Sequence, residues 1–181
     1  MSISYEIDPV HSHLQFSVRH LMVSNVRGTF KVVKGTVVYD PQNPGATKIQ
    51  ATIDVNSIST ADETRDTHLK SPDFLDVAKY PTITFQSTKV EKAGSDRFKV
   101  AGNLTIHGVT KEVSLDVEEV SGEVKDPWGN TRIGASMKGK IKRSDFGLQW
   151  NASLEAGGVL VGDDVKLDFE LEFIKAQVAA A

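Results

Sequence analysis

The sequence predicts an all-β fold, an antiparallel barrel of about eight strands with one short helix at one end. Apolar and polar residues alternate in most segments, which is typical of antiparallel strands with one wet face. Turn residues recur at regular intervals, and a single helix among the strands excludes alternating strand–helix winding. Small residues recur at positions that should point inward, which favours a barrel that keeps a cavity over a packed sandwich. These residues are Ala51, Gly102, Ala135 and Gly139.

The stretch from Asp8 to Asp40 predicts two strands joined by a short polar link, after a short first strand at Ser4–Ile7. In His13–His20, apolar and polar residues alternate with a period of two, which places the apolar set on one face. Gly28–Tyr39 predicts the partner strand. The alternation changes phase at Val33, which indicates a β-bulge that bends this strand and lets the sheet curl.

A turn rich in proline at residues 40–45 ends this stretch, and a strand is predicted at Ile49–Val55. The one predicted helix follows, at about Ala61–Lys70. Thr60 and Glu63 have the spacing of a capping box. Ser71 and Pro72 end the helix, because a residue before proline avoids helical angles. The helix is short and weakly amphipathic, so we expect it to act as a lid or plug at one end of the barrel.

Four further strands are predicted between turns, before an irregular segment at Ser144–Asn151 and a last strand with the cleanest alternation. Their inward sets are Ile83 and Phe85; Phe98, Val100, Gly102, Leu104 and Ile106; Val113, Leu115 and Val117; Ile133, Ala135, Met137, Gly139 and Ile141; and, in the last strand, Val165, Leu167, Phe169, Leu171 and Phe173.

Length and composition narrow the class of protein. The 181 residues fit one domain, predicted over residues 1–176, with a frayed tail at 177–181. The absence of cysteine excludes disulfides, thiolate nucleophiles and thiolate metal sites. A net charge of −3 and a pI near 5.9 argue against a nucleic-acid partner. The basic cluster Lys138–Arg143 alternates with apolar residues, so it is interpreted as the solvent-facing side of a strand.

The start of the chain shows no basic region followed by an apolar one, so no signal peptide is predicted. No stretch has the ~20 apolar residues of a membrane-spanning helix. We therefore expect a cytoplasmic protein if the coding sequence begins at Met1, and a periplasmic one if a leader has been trimmed.

Few patterns point to catalysis. His11 and His13 lie on one strand face and are candidates to grip a metal, with His20, His68 or His107 as a third ligand. The alternative interpretation is a turn cap for His11 and a half-exposed His13, and no metal site or cofactor is predicted. Motifs of serine hydrolases, phosphate loops and dinucleotide sites are missing. Arg65 and His68 lie on one helix face, where they meet either a polar head group or neighbouring acids.

Five segments together resemble the YceI-like family, bacterial polyisoprenoid-binding proteins. They cover nearly the whole chain in the family's order. The segments are Tyr5–Phe30, Thr64–Thr88, Leu104–Val117, Lys142–Asn151 and Leu160–Phe173. The resemblance implies a lipocalin-like barrel with a long apolar tunnel, an isoprenoid or similar lipid as ligand, and often a homodimer. Met22 departs from the family's usual glycine in the stretch after His20.

The hypothesis is therefore a protein without catalytic activity that carries or stores a long-chain isoprenoid-type lipid, such as a quinone or prenyl precursor. Arg19, Arg65 and His68 are candidates for the head-group end, and Phe146 and Trp150 for the tunnel mouth. The predicted tunnel lining is Phe16, Val18, Phe30, Ile53, Ile83, Phe85, Leu104, Met137, Ile141, Leu167 and Phe169. Two alternatives stay open: an enzyme acting on such lipids through His11, His13 or His68, and a stress or interaction protein with a filled barrel.

Overall fold

The computed structural model describes residues 1–177, so residues 178–181 of the predicted tail lie outside the described part of the chain. Its regular structure consists of β segments, one α-helix and short 3-10 turns. The segments are β1 Ile3–Ile7, β2 His13–His20, β3 Ser24–Phe30, β4 Val33–Tyr39, β5 Lys48–Asp54, β6 Ile58–Ser59, α1 Glu63–Lys70, β7 Thr82–Lys92, β8 Phe98–Ile106, β9 Val109–Val120, β10 Val124–Lys125, β11 Thr131–Lys142 and β12 Val161–Lys175.

The segments combine into a closed antiparallel barrel of eight strands, which confirms the predicted fold class. Three pairs of segments, β1 with β2, β3 with β4 and β5 with β6, each form one bent strand. Along one edge, β12 pairs with β2 through its first half and with β1 through its last residues. Along the other edge it pairs with β11, and this pairing closes the ring.

The antiparallel order gives the barrel two distinct ends. We call the end that carries α1 the helix end; the turn at residues 21–23 and the segment 143–160 lie there too. The opposite end, called the far end, carries the turns at residues 40–47, 93–97 and 121–130. Among residues 1–177, no helix combines the length and apolar composition needed to cross a bilayer.

The predicted partner strand Gly28–Tyr39 is divided in the structure. It begins earlier, at Ser24, and its ladder is interrupted at Lys31 and Val32. The backbone N–H groups of both residues donate to the Ser57 hydroxyl oxygen, at 3.1 and 3.0 Å. The inward set changes parity across this break, from Phe30 to Val33, which is the phase change read from the sequence.

The helix is confirmed as an element, but its predicted cap was wrong. The N-cap is Asp62, whose carboxylate accepts from the Arg65 backbone N–H at 2.8 Å. Thr60 is buried, and its hydroxyl donates to the Asp66 carboxylate at 2.6 Å. Ser71 caps the C-terminus before Pro72, as the sequence predicted.

Candidate ligand-binding cavity

A cavity of about 840 Å³ runs through the barrel from one end to the other. Every one of the eight strands contributes inward residues to its wall, and nearly all of these are apolar. At the helix end the lining reaches the exposed Arg19 and Arg65, and at the far end it reaches the exposed Ser95 and Asp96. The volume lies toward the upper end of the range of about 300–1,000 Å³ typical of small-molecule sites.

All sixteen residues predicted from the sequence to contact a ligand lie on the wall of this cavity. They are Phe16, Val18, Arg19, Phe30, Ile53, Arg65, His68, Ile83, Phe85, Leu104, Met137, Ile141, Phe146, Trp150, Leu167 and Phe169. Most of the large apolar ones, such as Phe16, Phe85 and Met137, are only half-buried although they point inward. Their remaining exposed surface therefore faces the cavity.

The inward glycines do not create the cavity, contrary to the reasoning from small residues. A Cβ on Gly102 would lie 2.4 Å from Cζ of Phe85, and one on Gly28 would lie 2.3 Å from Cζ of Phe16. At Gly139 the neighbour is Cδ2 of Leu115, at 2.5 Å. Each glycine is thus a niche that holds a large side chain of the adjacent strand flat against the wall. The open volume lies beyond these side chains, so the filled-barrel alternative does not fit the structure.

An aromatic cluster stands at the helix end of the cavity. The His68 ring packs edge-on against Phe74 and Trp150, with ring centroids 5.1 and 4.9 Å apart. Its Nε2 lies 2.9 Å from a carboxylate oxygen of Asp73. His68 and Trp150, predicted separately as head-group and mouth residues, are therefore in direct contact.

The three other predicted residues of this end have different surroundings. Arg65 donates to the Thr60 hydroxyl and carbonyl oxygens, at 2.8 and 2.9 Å, which holds its guanidinium beside the opening. Arg19 donates to the carbonyl of Met22 at 3.1 Å. Phe146 is only 1% exposed and belongs to the hydrophobic core at the helix end.

Arg143 is the main residue of this end that the sequence interpretation missed. It was assigned to the solvent-facing side of a strand, which is wrong, because it is 7% exposed and lines the cavity. Its guanidinium donates to four backbone carbonyls, those of Leu148, Trp150, Val161 and Gly162. These hydrogen bonds fix the segment that follows β11 over the barrel mouth. Burial lowers its pKa. The period of two in β11 would have found it, since Ile141 points inward and Arg143 is two residues later.

A small polar network lies at the far end. The Tyr5 hydroxyl, on a buried residue, donates to Glu123 at 2.7 Å, and Lys175 donates to the same carboxylate oxygen at 2.9 Å. Burial and the Glu123 carboxylate raise the pKa of Tyr5. Hydrogen bonds from Lys175 and Tyr5 lower the pKa of Glu123. Two of these residues, Tyr5 and Glu123, line the cavity and give it polar groups at the far end.

His11 and His13, the pair considered as metal ligands, have different surroundings. His13 is exposed, whereas Nδ1 of His11 lies 2.8 Å from Asp8. Asp8, His11 and Glu172 do present ligand atoms within 4.8 Å of one another. Arg132, however, donates to the carboxylates of both Asp8 and Glu172, and its guanidinium supplies the positive charge that balances them. These four residues therefore form a structural ion-pair network next to the bend between β1 and β2.

A comparison of sequences places this barrel among known proteins. The profile of the YceI-like domain matches residues 5–173. The chain belongs to the YceI-like family. It is 44% identical to "Protein YceI" of Salmonella newport (strain SL254) over 150 residues, which cover 82% of this chain and 78% of that protein.

Solved structures of the same fold agree with this assignment. BcnA of Burkholderia cenocepacia superposes with a TM-score of 0.80 at 26% identity, covering 92% of this chain and 98% of that one. A polyisoprenoid binding domain from Saccharophagus degradans, implicated in plant cell wall breakdown, superposes with a TM-score of 0.67 at 20% identity. The match covers 95% of this chain and 98% of that domain, and at this identity it describes the fold alone.

Proposed function

We propose that the barrel binds a long-chain isoprenoid or similar lipid, such as a quinone or prenyl precursor, and carries or stores it without catalysis. The observation that supports this most is the apolar cavity of about 840 Å³ along the barrel axis. Burial of a methylene group contributes about 0.8 kcal/mol, so roughly fifteen carbons contribute about 12 kcal/mol before the entropy of binding is subtracted. Such a cavity favours a chain-shaped hydrocarbon over a compact polar molecule.

The orientation of the ligand follows from the two ends of the cavity. We propose that the sixteen predicted residues contact the ligand, with Arg19, Arg65 and His68 at its head group and the apolar ones along its chain. The two cationic side chains at the helix end suit a polar or anionic head group. The Saccharophagus degradans domain, a polyisoprenoid binding domain of the same fold, supports the same class of ligand.

The test is uptake of prenyl lipid by the purified protein, measured by native mass spectrometry. Ala51 and Ala135 point into the cavity, so Ala51→Phe and Ala135→Phe are expected to reduce the mass of lipid bound per protein. Thr52→Phe is the matched control, because Thr52 is the exposed neighbour of Ala51 on the same strand. Undiminished uptake by both folded cavity variants would contradict binding in the barrel.

A further inference from the structure

The tip of the β2–β3 hairpin is strained in an unusual way. Leu21 and Met22 have φ angles of 51° and 62°, and the Val23 N–H donates to the His20 carbonyl at 3.1 Å. Two consecutive positive φ angles inside such a hydrogen bond define a type I′ turn, for which Asn-Gly and similar pairs are preferred. L-residues with a Cβ avoid this region, and strain of this kind is characteristic of functional sites.

Burial does not account for the choice of leucine and methionine in this turn. Leu21 is 41% exposed, Met22 is 56% exposed and Val23 is 72% exposed. Val159, on the segment that crosses the barrel mouth, is a fourth exposed apolar residue nearby, at 38%. We call these four residues the apolar tip. The backbone N–H of Leu21 donates to the Leu160 carbonyl at 2.9 Å, which holds the two parts of the tip together.

The apolar tip is continuous with the opening of the cavity. His20 and Leu160, the immediate neighbours of Leu21 and Val159, both line the cavity at the helix end. The tip therefore projects from the rim of the cavity at the helix end. A hydrophobic rim that is exposed at the opening of an apolar cavity suits a partner that itself contains hydrocarbon chains.

The charges around the tip narrow the choice of partner. Neither β2 nor β3 contains an acidic residue, and Arg19 and Arg27 are exposed on these strands. Residues 151–160, the part of the mouth segment that contributes to the tip, add one exposed acid, Glu155, so the two guanidinium groups outnumber the acids on the three parts of the chain that form the tip and its base. The Arg19 guanidinium donates to the Met22 carbonyl at 3.1 Å, so it lies directly beneath the turn. Apolar side chains at the apex with guanidinium groups behind them match the layers of a bilayer surface, in which hydrocarbon lies beneath phosphates.

We infer that the apolar tip docks the barrel mouth on the surface of a lipid bilayer, from which the ligand transfers into the cavity. This inference rests on the proposed function, because it supplies the route by which a water-insoluble chain reaches the barrel. Leu21 and Met22 enter the interface, and Arg19 and Arg27 face the phosphates. Asn and Gly would relieve the strain of the turn, but they would not enter hydrocarbon. This explains why the turn keeps Leu21 and Met22 despite the strain.

The double variant L21N/M22G tests the inference, since it removes the apolar side chains and installs residues that a type I′ turn prefers. Its Tm is therefore expected to equal or exceed that of the native protein. Co-sedimentation with vesicles of phosphatidylcholine and phosphatidylglycerol is expected to weaken at least tenfold, because each methylene group withdrawn from hydrocarbon weakens partitioning by about fourfold. Trp128→Ser is the control: it removes a side chain that is 81% exposed at the far end and should leave vesicle binding unchanged.

Equal vesicle binding by the native protein and the double variant would overturn the inference. So would light scattering that shows a native dimer dissociating in the double variant, because the tip would then be a contact between two copies. Uptake of prenyl lipid from detergent micelles separates the two proposals. Failure of uptake by both proteins would contradict the proposed function, whereas the loss of vesicle binding alone in the double variant supports docking.

Discussion

At the scale of single residues, Arg65 and Arg143, which both lie at the helix end, have opposite roles. Arg143 is buried and donates to backbone carbonyls, so its charge is committed to holding the mouth in place. Arg65 is exposed at the rim and is anchored by Thr60. The sequence identified Arg65 from its helix face. It did not identify Arg143, because a cationic residue at the end of a basic run was assigned to solvent although its parity placed it inside.

Replacement of Arg65 tests the orientation of the ligand. Arg65→Met should weaken binding of a prenyl lipid with an anionic head group by roughly tenfold or more, because a hydrogen bond to a charged group contributes about 1.5–3 kcal/mol. Binding of the corresponding chain with a neutral head should change much less. Ligand titration followed by intrinsic fluorescence measures both affinities.

Arg97→Met is the matched control for this prediction, because Arg97 is exposed in a turn at the far end. It should leave both affinities unchanged. If Arg97→Met weakened the anionic ligand as much as Arg65→Met does, the head group would not be bound at the helix end. Arg65→Lys, which keeps the charge, should recover part of the loss.

Asp8 gives a prediction about pH. Burial acts to raise its pKa, but hydrogen bonds from His11 and Arg132 outweigh this and lower the pKa to about 2. Because the pKa is lowered by folding, the Asp8 carboxylate stabilises the folded protein fully above the unfolded-state pKa of about 4. This contribution is lost as the pH falls toward 2. Asp8→Asn should therefore cost about 2 kcal/mol of unfolding free energy at neutral pH, since one pKa unit corresponds to about 1.4 kcal/mol.

Urea unfolding of the native protein and Asp8→Asn across this pH range measures the effect. The two stabilities should converge as the pH falls to 2 and below, because the native carboxylate becomes protonated in this range. A difference that stays constant with pH would show that Asp8 acts through packing rather than through its charge. His13→Asn is a suitable control, since His13 is exposed on the following strand.

At the scale of elements, the bent strand was predictable and its details were not. The alternation of apolar residues in the sequence shows the change of phase at Val33. The hydrogen bonds that create the bend come from Ser57, about two dozen positions further along the chain. The helix shows the same limit. Thr60 and Asp62 are both acceptable N-cap residue types, and the hydrogen bond from Thr60 to Asp66, which lies within the helix itself, draws Thr60 away from the cap.

The glycine niches give a prediction about pairs of strands. Gly102→Ala places a Cβ 2.4 Å from Phe85 and 2.7 Å from the Gln86 carbonyl, so the ring or the ladder has to move. We expect a loss of about 1–3 kcal/mol in unfolding free energy, as is typical for overpacked positions. Gly122→Ala is the control, because an added Cβ there meets no atom within 4 Å.

Thermal unfolding distinguishes the two variants. Gly102→Ala should lower Tm clearly and should also narrow the cavity as Phe85 swings inward, which would reduce the length of prenyl chain bound. Gly122→Ala should lie close to the native Tm. Similar Tm values for both variants would mean that Phe85 relaxes at no cost, and the niche would then be irrelevant to stability.

At the scale of the whole molecule, the closed barrel and the residues of its inner wall could be predicted from the sequence. The period of two determines which side chains point inward, and the turns determine the number of strands. The free volume could not be predicted, because it depends on how inward rings such as Phe16 and Phe85 lie against neighbouring strands. Of the small residues that suggested a hollow barrel, Gly102 and Gly139 accommodate the side chains of Phe85 and Leu115, whereas Ala51 and Ala135 face the cavity.

Ligand occupancy should change the stability of the whole barrel. A ligand present at 100 times its dissociation constant adds about 2.7 kcal/mol, which corresponds to a rise in Tm of roughly 5–10 °C for a domain of this size. Delipidated protein should therefore unfold at lower temperature and regain stability with added prenyl lipid. Ala51→Phe should show little gain, and an equal gain would place the lipid outside the barrel.

The pairing of β12 with β1, β2 and β11 leaves a closed hydrogen-bonded wall around the cavity. A bound chain cannot slip out sideways between strands and has to slide out lengthwise. Each additional isoprene unit then has to pass the whole series of apolar side chains before the lipid is released. Residence time should accordingly grow steeply with the number of isoprene units, even where equilibrium affinity has already levelled off.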